Sequence, residues 1–126
     1  MGLLTVLQTI IEASVLGEIA YVTILGRIVR GRESADALHE AIRRCTAPNI
    51  RELVLDMQGV NKVDAAGLGV LASAYCATQS IGSRLVLANT PPLVQELLAL
   101  TRLDKTFPSA KSPLRRSQNE RPNPQA

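Results

Sequence analysis

From Leu7 to Glu12 apolar and β-branched residues run together. From Glu18 to Leu25 they alternate loosely with polar ones, as Ile19, Tyr21, Val22 and Ile24. Between the two runs lies "ASVLG", Ala13 to Gly17, with Gly17 as its turn residue. Two such runs around a glycine predict a β-hairpin. The next segment, Gly26 to Ser34, is punctuated by glycine, carries Arg27, Arg30 and Arg32, and reads as a connection. At Ser34 the period changes. Ala35, Leu38, Ile42 and Cys45 recur at i, i+3, i+7 and i+10, which is one face of a helix. Ser34 fits the N-cap, where a hydroxyl accepts from an early backbone N–H. Pro48-Asn49 ends that helical region.

Ile50 to Asp56 predicts a third strand, its end too apolar for a half-exposed edge. "MQGVNKV", Met57 to Val63, reads as a turn and short link. Asp64 fits a second N-cap. Leu68, Leu71, Ala72 and Tyr75 then sit at i, i+3, i+4 and i+7 of a helix running to about Ser80, with Gly82 as its stop. Arg84 to Ala88 predicts a fourth strand. Asn89-Thr90-Pro91-Pro92 opens a third helix, proline being tolerated in a first turn. Its apolar face reads as Leu93, Leu97 and Leu100, and Thr101 to Phe107 closes the domain. The order β-β-α-β-α-β-α predicts an α/β fold, a mixed sheet of about four to five strands carrying the helices. From Pro108 onward almost no apolar side chain remains. Residues 1–107 therefore read as one domain and 108–126 as a disordered, basic, Pro/Ser/Asn/Gln-rich tail.

Charge sharpens that division. The formal net charge is +3, yet residues 1–107 carry ten basic and ten acidic side chains. The excess belongs to Lys111, Arg115, Arg116 and Arg121 against Glu120. A nucleic-acid footprint needs basic residues clustered on a folded face, and single-strand binding needs stacking aromatics. Here the aromatics are Phe107, Tyr21 and Tyr75. No nucleic-acid partner is expected, and the tail reads as a solvated appendage. The apolar N-terminus is interrupted by Gln8, Glu12 and Glu18, short of the roughly 20 apolar residues a spanning helix needs. It has no positively charged n-region, and Val6 breaks the myristoylation pattern. A soluble cytoplasmic protein with no direct membrane insertion is expected. Cys45 and Cys76 stand alone in helical patterns and read as buried small hydrophobes in a reducing compartment. His39, the single histidine, has no second metal-ligand candidate nearby in sequence and reads as a surface or half-buried residue.

The stretch "LVLDMQGVNKVDAAGLGVLASAYCATQSIGSRLVLANTPPLVQELLALTRLDKTF" strongly resembles the STAS family, the fold of bacterial anti-sigma factor antagonists. The matching features are a strand ending in Leu55-Asp56, the link Gly59-Val60, then Val63-Asp64, two residues, and Gly67-Leu68-Gly69 opening a helix. Gly82 then precedes the next strand. "GRIVRGRESADALHEAI" resembles the segment after the family's second strand, so the likeness spans about residues 5 to 107. The ordered spacings are specific, where the D-x-x-G-L-G hexad alone is weak.

In that family the position after the aspartate is typically a serine or threonine. A partner kinase, itself the anti-sigma factor, phosphorylates it, and the phosphorylated antagonist lets go. A helix N-terminus favours phosphate, and the added charge breaks an interface by repulsion and desolvation. Here the phosphoacceptor-equivalent residue is Ala65, followed by Ala66, and neither carries a hydroxyl. The nearest hydroxyl in the helix is Ser73, about two turns on. The resemblance therefore implies a domain fixed in the unmodified, binding-competent state. Its implied partner is a serine-kinase-like ATPase acting as anti-sigma factor. Separately from the resemblance, a weak homodimer is an expected association. The residues implied to meet the partner are Asp64, Ala65, Ala66, Gly67, Leu68 and Gly69, with Arg27, Arg30, Arg32, Glu33 and Ser34 from the preceding connection.

The residues carry their own readings beside the resemblance. Asp64 serves as an N-cap, an interface acid, or both. Gly67 and Gly69 cost about 1 kcal/mol each against alanine in a helix, which close approach by a neighbouring strand or by a partner's backbone would justify. Loops leaving parallel strands gather at one end of a sheet, which sets the arginines near Asp64 and Ala65. An enzyme needs a nucleophile, a base or metal ligands together, and that end offers only Asp64 and arginines. No catalytic residue, metal or cofactor is expected. The competing function is a STAS subunit of an ABC-type lipid transport system, bound to its ATPase.

Overall fold

The computed structural model describes residues 9–103 and 109–110. A hairpin of β1 (Ile10–Leu16) and β2 (Ile19–Ile28) leads into α1 (Ala35–Cys45), β3 (Glu52–Val63), α2 (Ala65–Ser80), β4 (Arg84–Ala88), α3 (Pro92–Leu100) and the short β5 (Ser109–Ala110). One mixed sheet has the order β1-β2-β3-β4-β5, antiparallel at β1–β2 and parallel elsewhere. The α/β class, the helix count and the element order agree with the expectation. Two residues of the segment expected as a tail form β5 beside β4, and residues 111–126 lie outside the described residues.

The crossovers β2–α1–β3, β3–α2–β4 and β4–α3–β5 each step to the next strand in one direction. Right-handed crossovers then place all three helices on one face. Leu38 of α1, Leu71 of α2 and Leu98 of α3 accordingly share one buried core with Val22, Ile24, Leu53, Leu55, Leu85 and Leu87. A smaller cluster of Val54, Val86 and Ala88, flanked by Ile19 and Tyr21, lies on the other side of the sheet. Among the described residues no helix is long and apolar enough to cross a membrane.

Several boundaries differ from the sequence expectation. The hairpin turn is two residues, Gly17-Glu18, because Leu16 pairs with Ile19 and Ala13 to Leu16 continue β1. Gly17 takes φ +67, the left-handed conformation that tight hairpins use at their first turn position. Strand β2 runs past Leu25 to Ile28, so Gly26 and Arg27 lie in the sheet. Strand β3 likewise runs through "MQGVNKV", expected as a link. The two extensions pair, Leu25 with Gly59, Gly26 with Val60, Arg27 with Lys62 and Ile28 with Val63. Register shifts between Thr23 and Leu25, and again between Gly26 and Arg27, each put one extra residue on β3.

Two helix faces are displaced from the expected ones. In α2 the buried residues are Gly67, Val70, Leu71, Ala74 and Thr78, while Leu68, Ala72 and Tyr75 are half-buried. The helix is apolar nearly all round, so side-chain pattern alone does not fix its rotation. In α3 the buried residues are Val94 and Leu98, and Leu93 and Leu100 are exposed. The buried set of α1 is the expected one, Ala35, Leu38, Ile42 and Cys45. Cys76 is exposed, on the outer side of α2, where burial was expected.

Candidate functional site

Strands β2 and β3 end side by side, and α2 starts from the end of β3. Their shared end is the candidate site. The Asp64 N–H donates to the carbonyl of Ile28 at 3.3 Å, which seats the start of α2 on the last residue of β2. The Asp64 side chain then caps α2, its Oδ1 accepting from the Gly67 N–H at 2.9 Å. Its Oδ2 accepts from the Arg30 N–H at 3.0 Å, across 34 residues of chain. Both oxygens are thus engaged by backbone donors, and these hold the carboxyl below its ordinary value. The Arg30 N–H contributes most, followed by that of Gly67.

Gly67 is buried because of this seating. A Cβ at that position would collide with the Ile28 carbonyl oxygen and approach Val63 Cγ1 to 2.9 Å. Close approach by a neighbouring strand therefore accounts for Gly67. Gly69 differs: a Cβ there would meet nothing within 4 Å, and the residue is exposed. No contact within the described fold requires a glycine at that point.

Ala65 is exposed at the first position of α2, and Gly69 lies one turn further along the same side. Ala66 and Leu68 are half-buried and pack against the core. Ser73 and Cys76 continue the exposed stripe. The surface offered at the start of α2 is therefore small and apolar, edged by the Asp64 carboxylate.

The connection before α1 reaches the site in part. Arg30 is exposed and joined to Asp64 through its backbone N–H. Arg32 and Glu33 are exposed in the turn that follows. Ser34 occupies the N-cap position of α1, as expected, but its side chain makes no capping bond. It is buried, and its hydroxyl donates to the Arg27 carbonyl at 2.7 Å while accepting from the Val29 N–H at 2.8 Å. The first N–H groups of α1 go instead to backbone carbonyls, Ala35 to Val29 and Asp36 to Gly31. Ser34 thus folds the connection back on itself and fixes where Arg30 stands. Arg27 lies within β2 and is half-buried, its Nε out of contact with solvent and without a hydrogen-bond partner among the described residues.

Sequence reasoning missed Ile28, whose carbonyl anchors Asp64 and forces the glycine at Gly67. The alternation continuing through "GRIV" could have revealed it, since Ile28 is fully buried. Among the described residues no three His, Cys, Asp or Glu side chains converge as metal ligands would. The arrangement presents a shaped, nearly neutral surface with one fixed negative charge, which suits docking.

Known proteins share this fold. A family model described as "Mlab, STAS domain" matches residues 22–114. An anti-sigma factor antagonist from Mycobacterium paratuberculosis is similar at 26% identity and a TM-score of 0.68, over 84% of this chain and 88% of its own. A Thermotoga maritima protein assigned as an anti-sigma factor antagonist superposes with a TM-score of 0.76 at 15% identity, over 89% of this chain and 95% of its own. A sulfate transporter family protein from Wolinella succinogenes gives 0.68 at 17% identity, over 79% and 82%. At such identities these last two show a common fold. Element order, the Asp64-to-Gly69 helix start seated on a neighbouring strand, and a family match over most of the chain lead to one conclusion: this chain belongs to the STAS domain family.

Proposed function

We propose that the chain is a protein-interaction module that antagonises an anti-sigma factor of the serine-kinase-like ATPase type. It docks through the start of α2 and the exposed Arg30–Glu33 turn. The observation that supports the reading is Ala65, exposed beside Asp64, the N-cap of α2; the family resemblance makes this the phosphoacceptor-equivalent position. Without a hydroxyl it takes no phosphate, so the docking surface keeps one charge state. The 26% identity to the Mycobacterium paratuberculosis antagonist supports the same reading. Catalysis by the chain forms no part of it.

The test is capture of partners by the wild-type chain and by Ala65→Asp, with the retained proteins identified by mass spectrometry. Retention of a serine-kinase-type partner by wild type, weakened about tenfold or more by the added charge, is the expected result. Ala65→Ser should gain phosphate from that same partner and ATP. Equal retention by wild type and Ala65→Asp would remove α2 from the interface.

A second reading is a STAS subunit docked on the ATPase of a lipid transport system. The matching family model is described as "Mlab, STAS domain", and a transporter family protein shares the fold. Retention of a transport ATPase in place of a kinase would establish that reading.

A further inference from the structure

The other end of the sheet order carries a feature that docking through α2 does not use. Strand β1 is an edge strand, paired on one side to β2 along all seven residues without a register shift. No backbone group of the described residues pairs with its outer side. Edge strands usually defend themselves with lysine, proline, a bulge or shortness. The opposite edge, β5, is two residues long. Strand β1, "IIEASVL", has neither lysine nor proline nor bulge, and a single charge, Glu12. Four of the exposed large apolar side chains of the described fold sit on this hairpin: Ile10 at 51%, Val15 at 55%, Leu16 at 73% and Leu25 at 43% exposure.

The strand is complementary to itself. Laid antiparallel against a second copy, one register alone pairs all seven residues. Ile10 then faces Leu16, Ile11 faces Val15, and Glu12 faces the hydroxyl of Ser14. Ala13 faces Ala13 on the twofold axis. Apolar side chains meet apolar ones, and neither Glu12 is set against the other. A twofold contact requires this reciprocity, in which i meets j and j meets i. Shifting the register by two residues puts Glu12 against Leu16 and leaves Ile10 facing Glu18, so the charges select the full overlap.

We propose that β1 is a homodimer interface, joining two sheets edge to edge through antiparallel pairing centred on Ala13. The ladder spans about 24 Å at the usual rise per residue, a small interface and therefore a weak, concentration-dependent dimer. The inference is independent of what α2 binds.

Sedimentation velocity of the full chain over about a hundredfold range of concentration reads the association directly. Wild type should shift from monomer towards dimer. Ala13→Lys and Ala13→Glu each bring like charges together on the axis, and each should remain monomeric at every concentration. Ala13 is exposed, so both variants keep the wild-type circular dichroism. An equimolar mixture of the two should dimerise again, because lysine then meets glutamate. Wild type that stays monomeric throughout overturns the proposal, whether the edge takes a foreign strand or residues of this chain outside the described ones. Dimerisation of each Ala13 variant alone, at wild-type concentrations, also overturns it, since the contact then lies elsewhere.

Discussion

Asp64 shows how much one residue decides here. Its backbone seats α2 on Ile28, and its two carboxylate oxygens take the Gly67 and Arg30 N–H groups. Those donors lower its folded-state pKa below the unfolded value. The stability it adds is therefore complete above the unfolded value and is lost as pH falls through the folded one. Asparagine caps a helix about as well as aspartate but carries no charge. Thermal unfolding of wild type and Asp64→Asn should differ most near neutral pH, with wild type the more stable. The gap should close below about pH 4. The N-cap role of Asp64 was legible in the sequence, because an acid before a helical period is a local pattern. The bond to Arg30 was not, since it depends on where a strand 34 residues away ends.

At the scale of elements, the two glycines of α2 differ in what surrounds them. Gly67→Ala gains helix propensity but drives a methyl group into the Ile28 carbonyl, and should lower stability by about 1–3 kcal/mol. Gly69→Ala meets open space and should raise stability by about 0.5–1 kcal/mol. Urea unfolding checks both. If α2 docks on a partner as proposed, the Gly69→Ala chain should also bind that partner more weakly, because its new methyl group stands on the exposed side. The helical period of α1 and the short apolar run of β4 are unbroken local patterns, and those elements were legible. The far half of β3 was not. Its buried residues run Leu55, Met57, Val60 and Val63, two and then three apart. Each register shift against β2 inserts one residue, so a search for period two loses the strand after Met57. The rotation of α2 was illegible for another reason: a helix apolar nearly all round is turned by its contacts. In α3 the apolar stripe opposite Gln95 and Glu96 is broad, and contacts bury its Val94–Leu98 side.

For the whole molecule, one core cluster spans all three helices and strands β2, β3 and β4, with Ile11 of β1 packed against it. Unfolding should therefore be a single cooperative transition. Tyrosine fluorescence and far-ultraviolet circular dichroism test it, because Tyr21 flanks the smaller cluster and Tyr75 packs against the main core. The two urea curves should coincide at low protein concentration, and separate midpoints would divide the sheet into independent halves. The topology was legible because alternating strands and helices with right-handed crossovers leave few arrangements. The self-complementary edge was hidden by the expected end of the first strand at Glu12, which left Ala13 to Leu16 in a turn.

The Asp64 carboxylate is a clasp. One oxygen holds the loop that follows β2 and the other holds the first turn of α2. Loss of the carboxylate from its seat would then free the helix start and the loop alike. Removing the carboxylate with Asp64→Ala should speed hydrogen exchange at both the Arg30 and the Gly67 amide. A cation that drew the carboxylate outward would release both at once, turning two separate surface segments into a single latch.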